Sequence, residues 1–364
     1  MGFGCMRLPL LDKNDVKSID IPQFEQMVDT FMEAGNTYFD TAFVYHEGES
    51  EVALGKALVA RYPRESFTIA TKCLAWAMPD EQAAKECLDI SLKRLGTDYV
   101  DYFLHHNVGG ERTAKFDEYG MWNWAQEQKA AGKIRYVGFS MHDDADCLDK
   151  LLTEHPEMDF VQLQVNYLDW NDPHNDAQRL MEVAEKHGKP VIIMEPARGG
   201  RLCNLPDDVA TVLEEAKPGS TQAEWAYRFC WNLPNVISVL SGMSNMDQAR
   251  ENVASYANNQ PFTAAEHEAL ERAITKLRSL AEIPCTACNY CVKGCPSGVK
   301  IPTVMELLNL ESMTHDHEFV KELYSWQTAE GRASECIKCG LCESMCPQQI
   351  DIINQLELAV EKYE

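Results

Sequence analysis

Apolar runs of strand length alternate with amphipathic stretches of helix length from the first residue to about residue 260. The strand-length runs are Gly2–Met6, Thr37–Thr41, Phe67–Lys72, Val100–His105, Arg135–Ser140, Phe160–Val165, Pro190–Met194 and Val236–Leu240. Between them lie Ile21–Ala34, Glu49–Arg61, Glu81–Leu95, Phe116–Ala131, Ala145–His155, Asn175–His187, Thr221–Leu233 and Met246–Ala257. Several of these end near Gly35, Pro63, Gly96, Gly132 or Gly188, residues that stop helices. Eight strand–helix units predict a (β/α)8 TIM barrel, a fold that usually takes ~250 residues. An open doubly wound sheet rarely needs eight strands. No Gly-x-Gly-x-x-Gly follows the first strand, and Gly2-Phe-Gly4 is too short a match to count.

A TIM barrel builds its chemistry at the C-terminal ends of its strands. Asp40 lies at the end of the second run, Tyr45 in the loop after it, Lys72 at the end of the third, and His105 and His106 at the end of the fourth. Each has a bland alternative, as a loop cap, a packing residue or a surface residue. Their placement at successive strand ends on one face favours chemistry.

The pattern changes after residue 262. Residues 263–283 read as a helical connector, with Thr263 as a cap. The remainder, 284–364, is organised by two cysteine runs: Cys285-x-x-Cys288-x-x-Cys291-x-x-x-Cys295-Pro296 and Cys336-x-x-Cys339-x-x-Cys342-x-x-x-Cys346-Pro347. This spacing holds [4Fe–4S] clusters, and in two-cluster proteins the fourth Cys of each run ligates the other cluster. The expected sets are Cys285, Cys288, Cys291 and Cys346 for one cluster, and Cys336, Cys339, Cys342 and Cys295 for the other. Zinc is the competing reading, but it closes with four ligands and does not call for a third Cys at the same interval. The long spacer holds two helix-like stretches, Ile301–Leu310 and Glu318–Trp326, and resembles the small all-helical ferredoxin-like module.

Composition narrows the setting. The 364 residues carry a formal charge of −24, which repels nucleic acid and anionic membranes. No apolar run reaches the length of a membrane span, and no signal peptide is evident. Eight of the 14 cysteines belong to the two runs. Thiolate ligands need a reducing compartment, so a cytoplasmic location is expected.

Phe39-Asp40-Thr41-Ala42-x-x-Tyr45, Thr71-Lys72, Tyr102-Phe103-Leu104-His105, Gly138-Phe139-Ser140 with Gln162, and Gly242-Met243-Ser244-x-x-x-Gln248-x-x-Glu251-Asn252 resemble the aldo-keto reductase family, in its order. The resemblance covers residues 1–262. It implies reduction of a carbonyl, or oxidation of an alcohol, with NADP or NAD. Tyr45 would be the general acid, Lys72 would lower its pKa, Asp40 would orient Lys72, and His105 would polarise the substrate oxygen. His106 would wall the pocket or act as a second proton donor. For the cofactor the resemblance implies Cys5, Met6 and Arg7 near the pyrophosphate and ribose. It implies Ser140 and Gln162 at the carboxamide, Met194 and Arg198 beside the nicotinamide, and Gly242, Met243, Ser244, Gln248 and Asn252 at the adenosine end.

The sequence departs from the family at several points. Met141 stands where Asn is frequent, Met194 replaces a stacking aromatic residue, and Gly242 falls where a Lys often meets the 2′-phosphate. The hairpin that usually plugs the barrel floor is missing, so the native start is expected upstream. Trp122, Trp124, Tyr167, Trp170 and Arg198 are candidate walls for a small-molecule substrate. Three readings stay open: a nicotinamide-linked carbonyl reductase whose clusters exchange electrons with a ferredoxin or other redox partner; a reductase with a flavin in the barrel mouth; and a non-catalytic electron-transfer or sensor subunit.

Overall fold

The structure is a computed structural model describing residues 1–172, 176–285 and 288–364. Eight parallel strands close into a barrel in sequence order. They are β1 Gly2–Gly4, β2 Tyr38–Asp40, β3 Thr68–Cys73, β4 Val100–Val108, β5 Ile134–Met141, β6 Phe160–Gln164, β7 Val191–Met194 and β8 Val236–Gly242. Closure comes from β1 pairing with both β2 and β8. The α-helices around and after them are α1 Ile21–Glu33, α2 Glu49–Leu54, α3 Glu81–Leu95, α4 Thr113–Glu118, α5 Met121–Ala130, α6 Ala145–Glu154, α7 Ala177–Lys186, α8 Asp207–Ala216, α9 Gln222–Trp231, α10 Met246–Ala257, α11 Ala264–Ser279, α12 Tyr290–Lys293, α13 Ile301–Thr314, α14 His317–Gln327, α15 Leu341–Met345 and α16 Ile352–Tyr363.

Strand periodicity sorts the side chains into two cores. One face of the strands fills the barrel interior with Tyr38, Ala70, Leu104, Phe160, Ile192 and Leu240. The other face meets the helices. There Phe3, Phe24, Phe31 and Phe39 lock β1 and β2 to α1 with ring centroids 5.1 to 5.7 Å apart. Each fully buried Phe contributes about 1.5–3 kcal/mol. The caps follow the sequence: Asp20, Asp80, Asp144 and Asn245 accept from the first turns of α1, α3, α6 and α10.

Every predicted strand is present, with ends shifted by at most three residues. The helices hold with two changes. Phe116–Ala131 is two helices, α4 and α5, because Gly120 between them takes φ 61°, which ends a helix. Glu49–Arg61 is α2 followed by a wider turn of π type, Gly55–Val59. The predicted start of the sixth helical stretch, Asn175, which corresponds to α7, lies outside the described residues.

The chain forms two compact units: residues 1–199 with 223–261, and 200–222 with 262–364. Residues 200–222, which the periodicity gives to the barrel, therefore group with the second unit, and the stretch read as a connector is one of its helices. Within that unit α8 packs on α11, where Lys276 Nζ donates to Asp208 O at 2.8 Å and pairs with its carboxylate at 2.9 Å. Thr263 and Glu266 form a reciprocal capping box on α11. A separate apolar core around Val299, Val304, Leu307, Val320 and Leu356 supports α13, α14 and α16. Tyr363 Oη and Lys362 Nζ tie the chain end to Glu311 at 2.6 and 2.7 Å. Among the described residues no helix is long and apolar enough to cross a membrane.

Candidate functional site

Asp40 follows Tyr38 by two residues, Lys72 follows Ala70, and Gln162 follows Phe160. Each therefore continues the interior face of its strand, one layer nearer the C-terminal end. Lys72 is fully buried, and its ammonium is satisfied by Asp40 Oδ1 and by Thr41 O at 2.8 Å. The Tyr45 hydroxyl is 3.4 Å from Nζ. Gln162 Nε2 donates to the other oxygen of Asp40 at 2.9 Å. A buried ammonium stands only where it is paired and hydrogen-bonded, and here a carboxylate, a carbonyl and a phenol converge on it. Burial opposes the Lys72 charge, but Asp40 and Tyr45 outweigh it and raise its pKa.

Burial pushes the Tyr45 phenol above its usual range, and the pull of Lys72 does not cancel the rise. The sequence reading expects the lysine to lower the phenol's pKa. It does exert that pull, but loss of solvent is the larger effect.

The two histidines exchange places relative to expectation. His105 falls between Leu104 and His106 and so lies outside the interior series Tyr102, Leu104, His106; it faces the helices. It is fully buried against Trp122 at 4.7 Å, Phe116 at 5.3 Å and Phe103 at 6.0 Å, and neither ring nitrogen has a partner. Burial, with His155 adding to it, pushes it down to about 3. His105 does not join the Asp40–Tyr45–Lys72 group. His106 does: its ring meets that of Tyr45 edge-on at 5.9 Å, and Trp76 Nε1 holds its carbonyl at 3.0 Å. Burial first, then Lys72 and His142, hold His106 well below its usual range, so it is neutral. Counting in twos from Leu104 finds it from sequence alone. Trp122 and Trp124 likewise belong to the helix layer, against His155 at 3.8 Å and Phe103 at 5.8 Å.

The residues singled out for a nicotinamide are spread around the strand ends. Cys5 is buried, with its carbonyl accepting from Ser50 Oγ, and burial raises its thiol far above the usual range. Met6 is exposed. Arg7 O accepts from Ser244 Oγ at 2.9 Å, which brings the ends of β1 and β8 together. Ser140 Oγ accepts from Asn107 N at 2.9 Å, which leaves its hydroxyl hydrogen to donate. Met194 lines the interior near Ile192. Arg198, with φ 46°, lies 3.3 Å from buried Asp169, which also takes bonds from Gln164 and Asn166. Gly242 ends β8, Met243 is buried, and Gln248 Oε1 receives Ser244 N at 2.7 Å. Asn252 points elsewhere: it is buried and donates to Ser241 Oγ, which itself donates to Tyr227.

In the second unit the cysteines converge as two sets. Cys295, Cys336, Cys339 and Cys342 line a small hollow with Val299, Ile301 and Leu356. Cys285, Cys288, Cys291 and Cys346 line a second one with Ile301, Met305 and Ile352. Each set takes three thiols from one run and the fourth from the other. No three of the described His, Cys, Asp and Glu side chains converge on a single-ion site. Four thiols around an apolar hollow suit the donor chemistry of a [4Fe–4S] group. Burial and the neighbouring thiols push Cys291 up to about 11, a rise that a bound positive iron centre would reverse. Lys338 N–H points at Cys336 Sγ from 3.4 Å, the kind of bond that tunes a thiolate ligand.

A family model described as the aldo/keto reductase family matches residues 1–275, and one described as a 4Fe-4S dicluster domain matches residues 284–351. An uncharacterised oxidoreductase of Bacillus subtilis, YqkF, is 28% identical over 74% of this chain and 91% of its own. An NADH-specific methylglyoxal reductase of Escherichia coli is 28% identical over 63% of this chain and 82% of its own. The solved structure of an aldo-keto reductase from Bacillus halodurans in its holo form superimposes with a TM-score of 0.60 at 27% identity, covering 75% of this chain and 91% of that one.

Proposed function

The chain belongs to the aldo/keto reductase family, and from that premise we propose that it reduces a small carbonyl compound, or oxidises the corresponding alcohol, with a nicotinamide cofactor. The observation that carries this reading is the buried Lys72 ammonium bridging Asp40 and the Tyr45 hydroxyl at the strand ends. A bound nicotinamide supplies the hydride. The protein's task is then to meet the charge that develops on the substrate oxygen. Tyr45 donates the proton. Lys72 steadies the phenolate left behind, and Asp40 holds Lys72 in line. His106, neutral and beside Tyr45, is the group suited to hydrogen-bond the same oxygen. Ser140 can donate to a carboxamide, and Gln162 Oε1 can accept from one.

We further propose that both thiol hollows hold [4Fe–4S] clusters. These groups carry single electrons, and a cytoplasmic redox protein is the partner that fits them, because the ligands require a reducing compartment. The test is oxidation of NADH or NADPH by the anaerobically purified protein with a panel of aldehydes and dicarbonyls. Absence of turnover with every member, or of nicotinamide binding, would remove the reading.

The histidine assignment makes its own prediction. His106→Phe lowers kcat by about a hundredfold or more, the usual share of a positioned proton-transfer or polarising group. His105→Phe leaves kcat within about twofold and raises the melting temperature, because two unpartnered buried nitrogens, each costing about 1–3 kcal/mol, are removed. Kinetics and thermal melts of both variants decide it. A kcat loss confined to His105→Phe reverses the assignment.

A further inference from the structure

Tyr45 opens a short turn, Tyr45–Gly48, whose next three residues all take left-handed backbone: φ 52° at His46, 53° at Glu47 and 96° at Gly48. Two of them are not glycine, and such backbone persists only where its surroundings hold it. On one side His46 is the holder. Leu8 N donates to its Nε2 at 3.2 Å, and its Nδ1 lies 2.6 Å from Val16 O, so the tautomer with the proton on Nδ1 satisfies both.

On the other side the holder is Arg94, from the last turn of α3. Its Nη1 donates to Phe43 O at 2.9 Å and to Glu51 Oε2 at 3.0 Å, and its guanidinium lies 4.4 Å from the Phe43 ring centre. A Cβ built on Gly48 would come within 2.7 Å of its Nη2, so the guanidinium presses on the Gly48 backbone. Arg94 thus touches residues on both sides of Tyr45. Glu51 is fully buried, and its second oxygen accepts from Thr71 Oγ1 at 2.6 Å. Thr71 immediately precedes Lys72 on β3.

We propose that Arg94 and Glu51 are positioning residues that fasten the Tyr45 turn to the strand carrying Lys72, and so hold the phenol in reach of Nζ and the substrate. This rests on the reading of Tyr45 as the proton donor. A plain buried ion pair needs only charge neutrality. The clamp needs the whole guanidinium plane: Nη1 reaches a backbone carbonyl and a carboxylate at once, the group lies over the Phe43 ring, and Nη2 sits against Gly48. Lysine keeps the charge but lacks the plane over Phe43 and the second nitrogen against Gly48.

The experiment uses the full-length, iron-loaded protein as wild type, Arg94→Lys and Glu51→Gln. Amide exchange is followed on peptides spanning residues 42–54, with β5 and α16 as references, alongside kcat and KM for an aldehyde and the nicotinamide. Expected for Arg94→Lys is faster exchange confined to 42–54 and a fall in kcat of about tenfold to a hundredfold, since small misplacements of a reacting group cost that much. The nicotinamide KM stays within about twofold, because uniform binding is untouched. Glu51→Gln keeps an acceptor for Arg94 in its Oε1, while its Nε2 must donate to Thr71 Oγ1 instead of accepting from it, so it loses less; it also provides a readout if Arg94→Lys fails to fold. Unchanged exchange in 42–54, loosening across the whole barrel, or a loosened turn with full kcat each overturn the clamp. A wild type inert toward every carbonyl defeats the reductase reading alone; exchange then still decides, with loosening confined to the turn upholding the clamp and unchanged protection overturning it.

Discussion

Tyr45→Phe lowers carbonyl reduction by roughly a hundredfold to ten-thousandfold, the range for loss of a positioned general acid, while nicotinamide binding persists. The substitution is clean because the Lys72 ammonium keeps its bonds to Asp40 and Thr41. Lys72→Met is a poorer probe. It strands the buried Asp40 carboxylate without its cation, at a cost of about 3–5 kcal/mol, so lost activity and lost fold would be confounded. The pH dependence follows from the direction of the Tyr45 shift. A phenol held above its ordinary value of ~10 stays protonated through neutral pH. Reduction is therefore flat there and declines only as pH rises through the Tyr45 pKa. Alcohol oxidation needs the phenolate and climbs over the same range. Stopped-flow or steady-state rates in both directions, for wild type and Tyr45→Phe, test the pair of statements. A Phe variant that retains full reduction, or a reduction rate that falls on the acid side of neutral, would remove Tyr45 from the role.

The barrel was legible because strand and helix periods differ, and each unit shows both. What periodicity does not carry is the choice between neighbours on one strand. Asp40 and Lys72, which meet in the structure, could be picked out because each lies at the end of its predicted strand with no second residue of its kind beside it. At His105-His106 the motif offered two imidazoles, and only the inward count from Leu104 separates them, since side chains on a strand alternate between faces. The Tyr45 phenol illustrates a second limit. The sign of the Lys72 effect can be inferred from chemistry, but the larger opposing effect is burial, and burial depends on the closed barrel. The placement of residues 200–222 is a third. Nothing local in Asp208 or Lys276 says they meet; that contact spans 68 residues. Arg94 and Glu51 lie beyond sequence reading for the same reason. By contrast, the grouping of the cysteines around two hollows is the one expected from their spacing, because ligand geometry constrains the intervals themselves.

Those sets lead to the second large effect, and its test turns on which thiols share a hollow. Cys295 follows the first run in sequence but lines the hollow of Cys336, Cys339 and Cys342, and Cys346 lines that of Cys285, Cys288 and Cys291. Replacing Cys295 by Ser is therefore expected to remove roughly half of the iron, from the hollow of the other run. Double variants resolve the pairing. Cys295→Ser with Cys339→Ser damages one hollow twice and costs no more iron than either change alone. Cys295→Ser with Cys288→Ser damages both and leaves almost none. Uncrossed pairing reverses the two outcomes, so iron analysis with electron paramagnetic resonance on four proteins is sufficient. The same variants report on folding. Ile301 lines both hollows, and the apolar core beneath them is shared by α13 and α16. Loss of the second group should then loosen α13 and α16 as well as release iron, since metal binding and folding are coupled in small domains of this kind. Proteolysis confined to the second unit, with the barrel intact and Tyr45-dependent reduction retained, is the expected result for the double variant that loses both.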